Sequence, residues 1–268
     1  MVIGYQGKLE AAKLTEICNS APLLEARNIT KRFNGLVAVD GVSLQIEEQE
    51  IVGLLGPNGS GKTTLINVIA GRVAPSAGAV HFAGRDITAV PAHARCHLGV
   101  ARTFQTVKPF DHLSVLDNVA VGAVYGNARR LSLAEARVEA ARLLEVVDLA
   151  DKAGDLGGTL SMGQRKRLEL ARALATQPRL LLLDEIGAGL TPAGGVALRA
   201  LLARLRDDGL TILGVEHALH ALADIVDRLL VMDKGRIIAE GPPEAVFNDP
   251  QVMDAYMGEW NAEFKTAS

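Results

Sequence analysis

Residues 56–63 read Gly-Pro-Asn-Gly-Ser-Gly-Lys-Thr, a glycine followed by four residues and then Gly-Lys-Thr, which is the pattern of a phosphate-binding loop. Its glycines allow successive backbone N–H groups to point at phosphate oxygens, and the helix that follows adds positive potential at its start. The Lys62 ammonium would neutralise β- and γ-phosphate charge, and the Thr63 hydroxyl would bind Mg²⁺. The pattern predicts a nucleotide site with these members: Asn58, Gly59, Ser60, Gly61, Lys62, Thr63 and Thr64.

A pair of adjacent carboxylates, Asp184 and Glu185, follows the apolar run of four leucines at 180–183. Ligands of open α/β sheets bind at the carboxyl ends of the strands, where this pair is expected. Asp184 would accept hydrogen bonds from the coordination shell of Mg²⁺, and Glu185 would activate the attacking water as a general base. Each motif alone has an alternative: a glycine turn that only caps a helix, and two solvated loop carboxylates. Together they favour nucleotide hydrolysis.

Two further polar residues follow strand-like stretches. His217, in the sequence Gly-Val-Glu-His, offers a ring nitrogen that could hydrogen-bond a γ-phosphate and sense its loss. Gln105 offers an amide that could bind Mg²⁺ or the attacking water. From the residues alone, a structural histidine and an ordinary polar loop residue remain open for these two positions.

The stretch Leu-Ser-Met-Gly-Gln at 160–164 predicts the start of a helix. Ser161 is placed to cap it, and Gln164, three residues later, completes a capping box. Gly163 lies inside the first turn, where a glycine costs stability relative to alanine. The pattern indicates a helix end that is left bare so that a ligand can come close to it.

Composition limits the possible classes of protein. The 268 residues include 28 Lys and Arg against 31 Asp and Glu, a net charge of −3, so no general basic surplus indicates nucleic-acid binding. The sequence has no uninterrupted apolar window of about 18 residues, so a membrane span is not predicted. Residues 1–22 carry acidic residues where a signal peptide has its apolar run, and we expect them to form an N-terminal tail. Cys18 and Cys96 show no metal-binding spacing.

The elements that must position these residues alternate between short apolar strands and helices. Apolar runs at 51–55, 180–184 and 210–215, which alternate with helical segments, predict βαβ units and a mostly parallel sheet. Strand patterns with an Asn34-Gly35 turn begin near residue 23, a hairpin turns at Lys234-Gly235, and residues 110–170 show helical periodicity. We therefore predict an α/β fold with a helical insertion.

These motifs, in this order, resemble those of the ATP-binding cassette (ABC) ATPases over residues 23–259. Residues 56–63 match the family's Walker A motif, 160–164 its LSGGQ signature and 180–185 its Walker B motif. Gln105 matches the Q-loop glutamine and His217 the switch histidine. Phe33 precedes Lys62 at about the distance where the family stacks an aromatic ring on adenine; the alternative is a phenylalanine of the core.

The resemblance implies a P-loop NTPase (ABC ATPase) core with a mostly parallel sheet, an antiparallel β subdomain and an inserted α-helical subdomain. The implied ABC ATPase domain covers 23–268. Its core would comprise 23–108 and 171–241, its helical subdomain 109–170 and its short C-terminal tail 242–268. Two cassettes would pair head to tail, so that the signature residues of one face the ATP on the phosphate loop of the other. These signature residues are Ser161, Gly163 and Gln164.

The implied activity is ATP hydrolysis with Mg²⁺. Glu185 would be the base, assisted by Gln105 and His217, and the metal would be held by Thr63, Gln105 and Asp184. Met162 departs from the first glycine of LSGGQ, Ile186 from the proline that usually follows the base, and Thr191 from the Asp or Asn of the D-loop. None of these departures removes a phosphate, metal or base contact.

Within the family, residues 101–123 and 239–259 resemble the branched-chain amino-acid importer group. That group implies a second cassette, two membrane permeases, indirectly a periplasmic or extracellular binding protein, and a place on the cytoplasmic face of the inner membrane. Phe110 and Leu113 would line the groove where a permease docks; the alternative is that they pack inside the protein. Urea importers and lipopolysaccharide-export cassettes are the alternatives. A soluble ABC ATPase acting on DNA or in translation is less favoured, because the chain has one motif set and no CxxC insertion.

Overall fold

The computed structural model describes residues 21–104, 108–126, 131–185, 187, 190–216 and 223–256. Its chain forms two sheets and seven α-helices within these residues. No helix in these ranges is both long enough and apolar enough to cross a membrane. The segments 1–20 and 257–268, which belong to the predicted terminal tails, lie outside the described residues.

The first sheet is antiparallel and has four strands in the order β2-β1-β4-β5. Its first two strands meet at Asn34 and Gly35, whose φ angles of 43° and 93° are those of a tight hairpin turn, as predicted. The four strands are β1 (Leu24–Phe33), β2 (Leu36–Ile46), β4 (Ala77–Phe82) and β5 (Arg85–Asp86).

The second sheet has six strands in the order β10-β9-β3-β8-β7-β6. All its pairings are parallel except that of β10 with β9, which form the predicted hairpin at Lys234-Gly235. This arrangement confirms the mostly parallel sheet. The six strands are β3 (Ile51–Leu55), β6 (Val100–Arg102), β7 (Leu180–Asp184), β8 (Thr211–Val215), β9 (Arg228–Asp233) and β10 (Arg236–Gly241).

The parallel sheet separates two apolar cores. Every residue of β3, β7 and β8 is buried, and successive side chains of a strand point to opposite faces. In β7, Leu181 and Leu183 pack in one core, whereas Leu180 and Leu182 pack in the other. The first core contains the helical part of the chain. The second contains the antiparallel sheet and the helix that follows β3.

Three helices begin at capping side chains, and one of them is the helix predicted to start at Ser161. Ser132 with Glu135 and Ser161 with Gln164 form complete capping boxes, and Thr191 caps a helix with proline at its first position. Three helices occupy the region predicted to be helical, and the last of them crosses the predicted 170/171 boundary. The α-helices are α1 (Lys62–Ile69), α2 (Ala92–Leu98), α3 (Val115–Gly126), α4 (Leu133–Val146), α5 (Met162–Leu174), α6 (Pro192–Asp207) and α7 (Pro243–Phe247).

Candidate active site

The loop of residues 56–61 joins β3 to α1 and passes very close to neighbouring backbone. A Cβ atom added at Gly56 would lie 2.1 Å from the Met232 carbonyl oxygen, and one at Gly61 would lie 2.4 Å from that of Ala38. Both positions therefore require glycine. Gly61 precedes α1 with a φ of 107° and provides no side-chain cap, so the first N–H groups of the helix have no capping side chain. This is the arrangement that binds phosphate at a helix start.

The Lys62 side chain lies inside this loop and is buried. Its ammonium donates to the carbonyl oxygens of Gly56 at 2.5 Å and Pro57 at 2.9 Å, and approaches the Ser60 hydroxyl at 3.4 Å. Hydrogen bonds from an ammonium to phosphate are stronger than those to neutral carbonyls. A triphosphate seated on the loop would thus be a better acceptor for Lys62 than the loop itself.

Asp184 is the last residue of β7 and is 4% exposed. Its Oδ2 accepts from Arg102 Nη2 at 2.8 Å, whereas Oδ1 is buried and has no hydrogen-bond partner among the described residues. A buried carboxylate oxygen without a partner is costly, and carboxylate oxygens are ligands that Mg²⁺ prefers. Thr63, on the first turn of α1, lines the same cavity of about 940 Å³. These two residues fit a Mg²⁺ site.

Two polar residues near Asp184 were missed in the sequence. Arg102 is the last residue of β6 and also donates to Asn67 Oδ1 at 2.6 Å. Glu169, on α5, accepts from the backbone N–H of Phe104 at 2.5 Å, and burial raises the pKa of its carboxyl to about 7. The rule that located Asp184, a polar residue at the carboxyl end of a parallel strand, also applies to Arg102. No comparable pattern marks Glu169.

Glu185 follows Asp184 in the chain and is buried, at 8% exposure. Its φ of 51° lies in the left-handed region, which is uncommon for a residue other than glycine and clusters at functional sites. The residue predicted to be the base is therefore buried and has a strained backbone conformation, and it is not a solvated loop residue.

The signature residues do not line the cavity shared by Thr63 and Asp184. Ser161, Gly163 and Gln164 instead line a second cavity of about 400 Å³ at the start of α5. Ser161 N–H donates to Gln164 Oε1 at 2.9 Å, and Gln164 N–H points at Ser161 Oγ at 3.4 Å. A Cβ at Gly163 would meet only Leu190 Cδ2, at an ordinary 3.6 Å. Its own chain therefore does not require glycine there.

The remaining predicted residues have different outcomes. Phe33 is the last residue of β1 and is 44% exposed, so it does not belong to the core; Lys31 Nζ lies 5.0 Å from the centre of its ring. Gln105 and His217 lie outside the described residues. The described part of the chain contains no group of three or more His, Cys, Asp or Glu side chains that could hold a metal ion, so the Mg²⁺ site at Asp184 and Thr63 is not a cluster of that kind.

Comparisons with known proteins agree with this geometry. A family model described as "ABC transporter" matches residues 39–188, and one described as "Branched-chain amino acid ATP-binding cassette transporter" matches 236–259. The chain is 40% identical over 253 residues to the high-affinity branched-chain amino acid transport ATP-binding protein BraF of Pseudomonas aeruginosa, covering 90% of this chain and 99% of BraF. It is 37% identical over 237 residues to the lipopolysaccharide export system ATP-binding protein LptB of Haemophilus influenzae, covering 88% and 98%.

Solved structures show the same fold. The ADP conformation of MJ1267, an ATP-binding cassette of an ABC transporter, superposes with a TM-score of 0.80 at 34% identity and covers 88% of this chain and 98% of that one. A nucleotide-free ATP-binding cassette from an ABC transporter gives a TM-score of 0.79 at 34% identity, covering 87% and 98%. The phosphate loop, the buried carboxylate at the end of β7 and these matches lead to one conclusion: the chain belongs to the ABC transporter family and is one of its ATP-binding, ATP-hydrolysing subunits.

Proposed function

We propose that this subunit powers the import of branched-chain amino acids through membrane permease partners. The observation that carries this proposal is the match of residues 236–259 to the branched-chain amino acid cassette model, because this segment lies outside the phosphate and carboxylate motifs common to the whole family. The 40% identity to BraF along nearly the full chain supports the same substrate class.

In the proposed reaction, residues 58–64 hold the triphosphate and Phe33 stacks on adenine. Thr63, Gln105 and Asp184 would hold Mg²⁺, which supplies charge stabilisation to the β- and γ-phosphates. Glu185 accepts a proton from the attacking water, and His217 contacts the γ-phosphate. The unpartnered Oδ1 of buried Asp184 supports the metal assignment, and the left-handed backbone at Glu185 supports the base assignment.

The complete site requires a second cassette. Within one chain the signature residues line a different cavity from Thr63 and Asp184, which supports the proposal that they reach a nucleotide held by another copy or a related subunit. We propose a head-to-tail dimer in which Ser161, Gly163 and Gln164 bind the γ-phosphate on the partner's phosphate loop. The absence of any need for glycine at 163 within its own chain supports this arrangement.

The proposed permease contact is the surface at Phe110 and Leu113, and Arg172, which contacts Phe110, also lines the cavity around Asp184. Phe110 and Leu113, expected in the permease groove, are 43% and 38% exposed, so each leaves apolar surface open to a partner. Arg172 lies 4.7 Å from the Phe110 ring centre and supports it from α5. Docking here would hold the subunit peripherally on the cytoplasmic face of the inner membrane, with a periplasmic binding protein as an indirect partner and no nucleic acid involved.

The mechanism is tested with Glu185→Gln. We expect ATP binding to persist, phosphate release to fall to a small residual rate that is still measurable at high protein concentration, and an ATP-bound dimer to accumulate in size-exclusion chromatography. Phosphate release at the parent rate would show that Glu185 is not the base.

The substrate is tested by reconstituting the chain with the permeases encoded beside it. ATP-dependent uptake of labelled leucine into vesicles, abolished by Glu185→Gln, is the expected result. Uptake of urea without leucine, or extraction of lipopolysaccharide, would replace the proposed substrate while leaving the ATPase assignment intact.

A further inference from the structure

The backbone conformation of Glu185 needs external support. A non-glycine residue at a φ of 51° is strained and persists only where its surroundings hold it. The backbone N–H of Glu185 donates to the Val215 carbonyl oxygen at 3.0 Å, which fastens one end of the residue to β8. This bond alone leaves the carbonyl side of Glu185 to be held by something else.

A lysine from the signature helix holds that carbonyl. Lys166 is the fifth residue of α5 and is buried at 7% exposure, and its ammonium donates to the Glu185 carbonyl oxygen at 3.0 Å. Burial lowers the pKa of Lys166, while the neighbouring carboxylates of Glu216, Glu185 and Glu169 oppose that effect. The hydrogen bond from Lys166 to the Glu185 carbonyl is enclosed and shielded from water, which strengthens it.

A carboxylate holds the chain on the other side of Glu185. The backbone N–H of Gly187 donates to Glu216 Oε1 at 3.0 Å, and Glu216 is 5% exposed. A Cβ at Gly187 would lie 3.1 Å from the same oxygen, so the two groups are closely packed. Lys166, on α5, and Glu216, directly after β8, thus hold the backbone on the two sides of Glu185.

We propose that Lys166 and Glu216 are positioning residues that fix the backbone of the base, and that Lys166 makes this geometry depend on the signature helix. Gln164 and Lys166 lie two residues apart on α5. If the partner's nucleotide displaces the start of this helix, the Lys166 ammonium that donates to the Glu185 carbonyl moves with it. This proposal rests on the role of Glu185 as the base.

The test compares Lys166→Met and Glu216→Leu with the parent chain. Each variant is expected to lower kcat at least tenfold, while KM for ATP and the affinity for a fluorescent ATP analogue change less than twofold. Glu216→Gln keeps an oxygen that can accept from Gly187 and is expected to retain most of kcat. Lys152→Met, which removes a surface lysine between Asp151 and Asp155, is the matched control and should match the parent.

A double-mutant cycle separates positioning from general damage. In the Glu185→Gln background, Lys166→Met should cause no further loss of residual hydrolysis, because the base that it positions is already gone. A full additional loss, or a parent-like kcat in both Lys166→Met and Glu216→Leu, would overturn the proposal. If Lys166→Met fails to fold, Glu216→Leu against Glu216→Gln decides the question. Parent-like hydrolysis by Glu185→Gln alone would instead refute the base assignment.

Discussion

The guanidinium of Arg102 lies 2.8 Å from the carboxylate of Asp184, and the two side chains are 7% and 4% exposed. The carboxyl ends of β6 and β7 are adjacent, so this pair joins two neighbouring strands at the proposed metal site. Arg102 occupies one oxygen of Asp184 and leaves the other buried without a partner in the described part of the chain. The arginine thus orients the proposed metal ligand and contributes a positive charge that a bound Mg²⁺ would have to tolerate.

Replacing Arg102 by methionine should destabilise the free protein by about 3–5 kcal/mol, because it leaves a buried carboxylate without its counter-charge. Mg²⁺–ADP should recover more stability in the variant than in the parent, since the ion supplies the missing positive charge. Urea denaturation with Mg²⁺–ADP, and with ADP in EDTA, measures both effects. An equal loss with and without Mg²⁺ would argue against a metal site at Asp184.

Lys62→Ala should weaken nucleotide binding itself. Charge-assisted hydrogen bonds contribute about 1.5–3 kcal/mol, so we expect Kd for a fluorescent ATP analogue to rise roughly 10- to 150-fold. Lys152→Ala removes a surface lysine and should leave Kd unchanged. Unchanged affinity in Lys62→Ala would mean that residues 56–63 do not bind the triphosphate.

Gly163→Ala should separate stability from activity. Alanine is favoured over glycine in a helix by about 1 kcal/mol, and the chain has room for the added methyl, so the variant should be more stable to urea. Its ATP-dependent dimerisation and phosphate release should nevertheless fall. Gly195→Ala in α6 is the matched control, because a Cβ there would meet only the end of Arg199. This variant should gain stability without losing dimerisation or phosphate release. Full activity in Gly163→Ala would show that nothing approaches this helix end.

Glu169 should make stability fall as pH rises from about 4.5 to 7. Burial raises the pKa of this carboxyl to about 7 in the folded chain, whereas the unfolded chain ionises near pH 4.5. Between these values the folded state binds the extra proton, so raising the pH penalises folding, by up to about 3 kcal/mol.

Glu169→Gln keeps an acceptor for the Phe104 N–H but removes the titration. The stability of this variant relative to the parent should therefore increase between about pH 5 and 7.5, as measured by urea unfolding at both values. A relative stability that does not change with pH would show that Glu169 is ionised throughout.

The features predicted from the sequence are those that a few neighbouring residues determine. The phosphate loop, the capping box of Ser161 and Gln164 and the Asn34-Gly35 turn each depend on a segment of eight residues or fewer, so their patterns are visible in the chain itself. The pairs Arg102–Asp184, Phe104–Glu169 and Lys166–Glu185 join different elements. Folding alone brings such partners together, and a single sequence therefore does not show them.

The strand register fixes the distance between the phosphate loop after β3 and the carboxylates at the end of β7. Val215 of β8 is level with Leu54 of β3 on one side and with Asp184 of β7 on the other. A slip of one residue would shift a strand end by about 3.3 Å and turn its side chains towards the opposite core. The separation of phosphate loop and carboxylates along the strands can thus change only in whole-residue steps that the two cores forbid. Small changes in the distance between the phosphate loop and the carboxylates during turnover must therefore come from movements of loops and helices, because the sheet itself stays fixed.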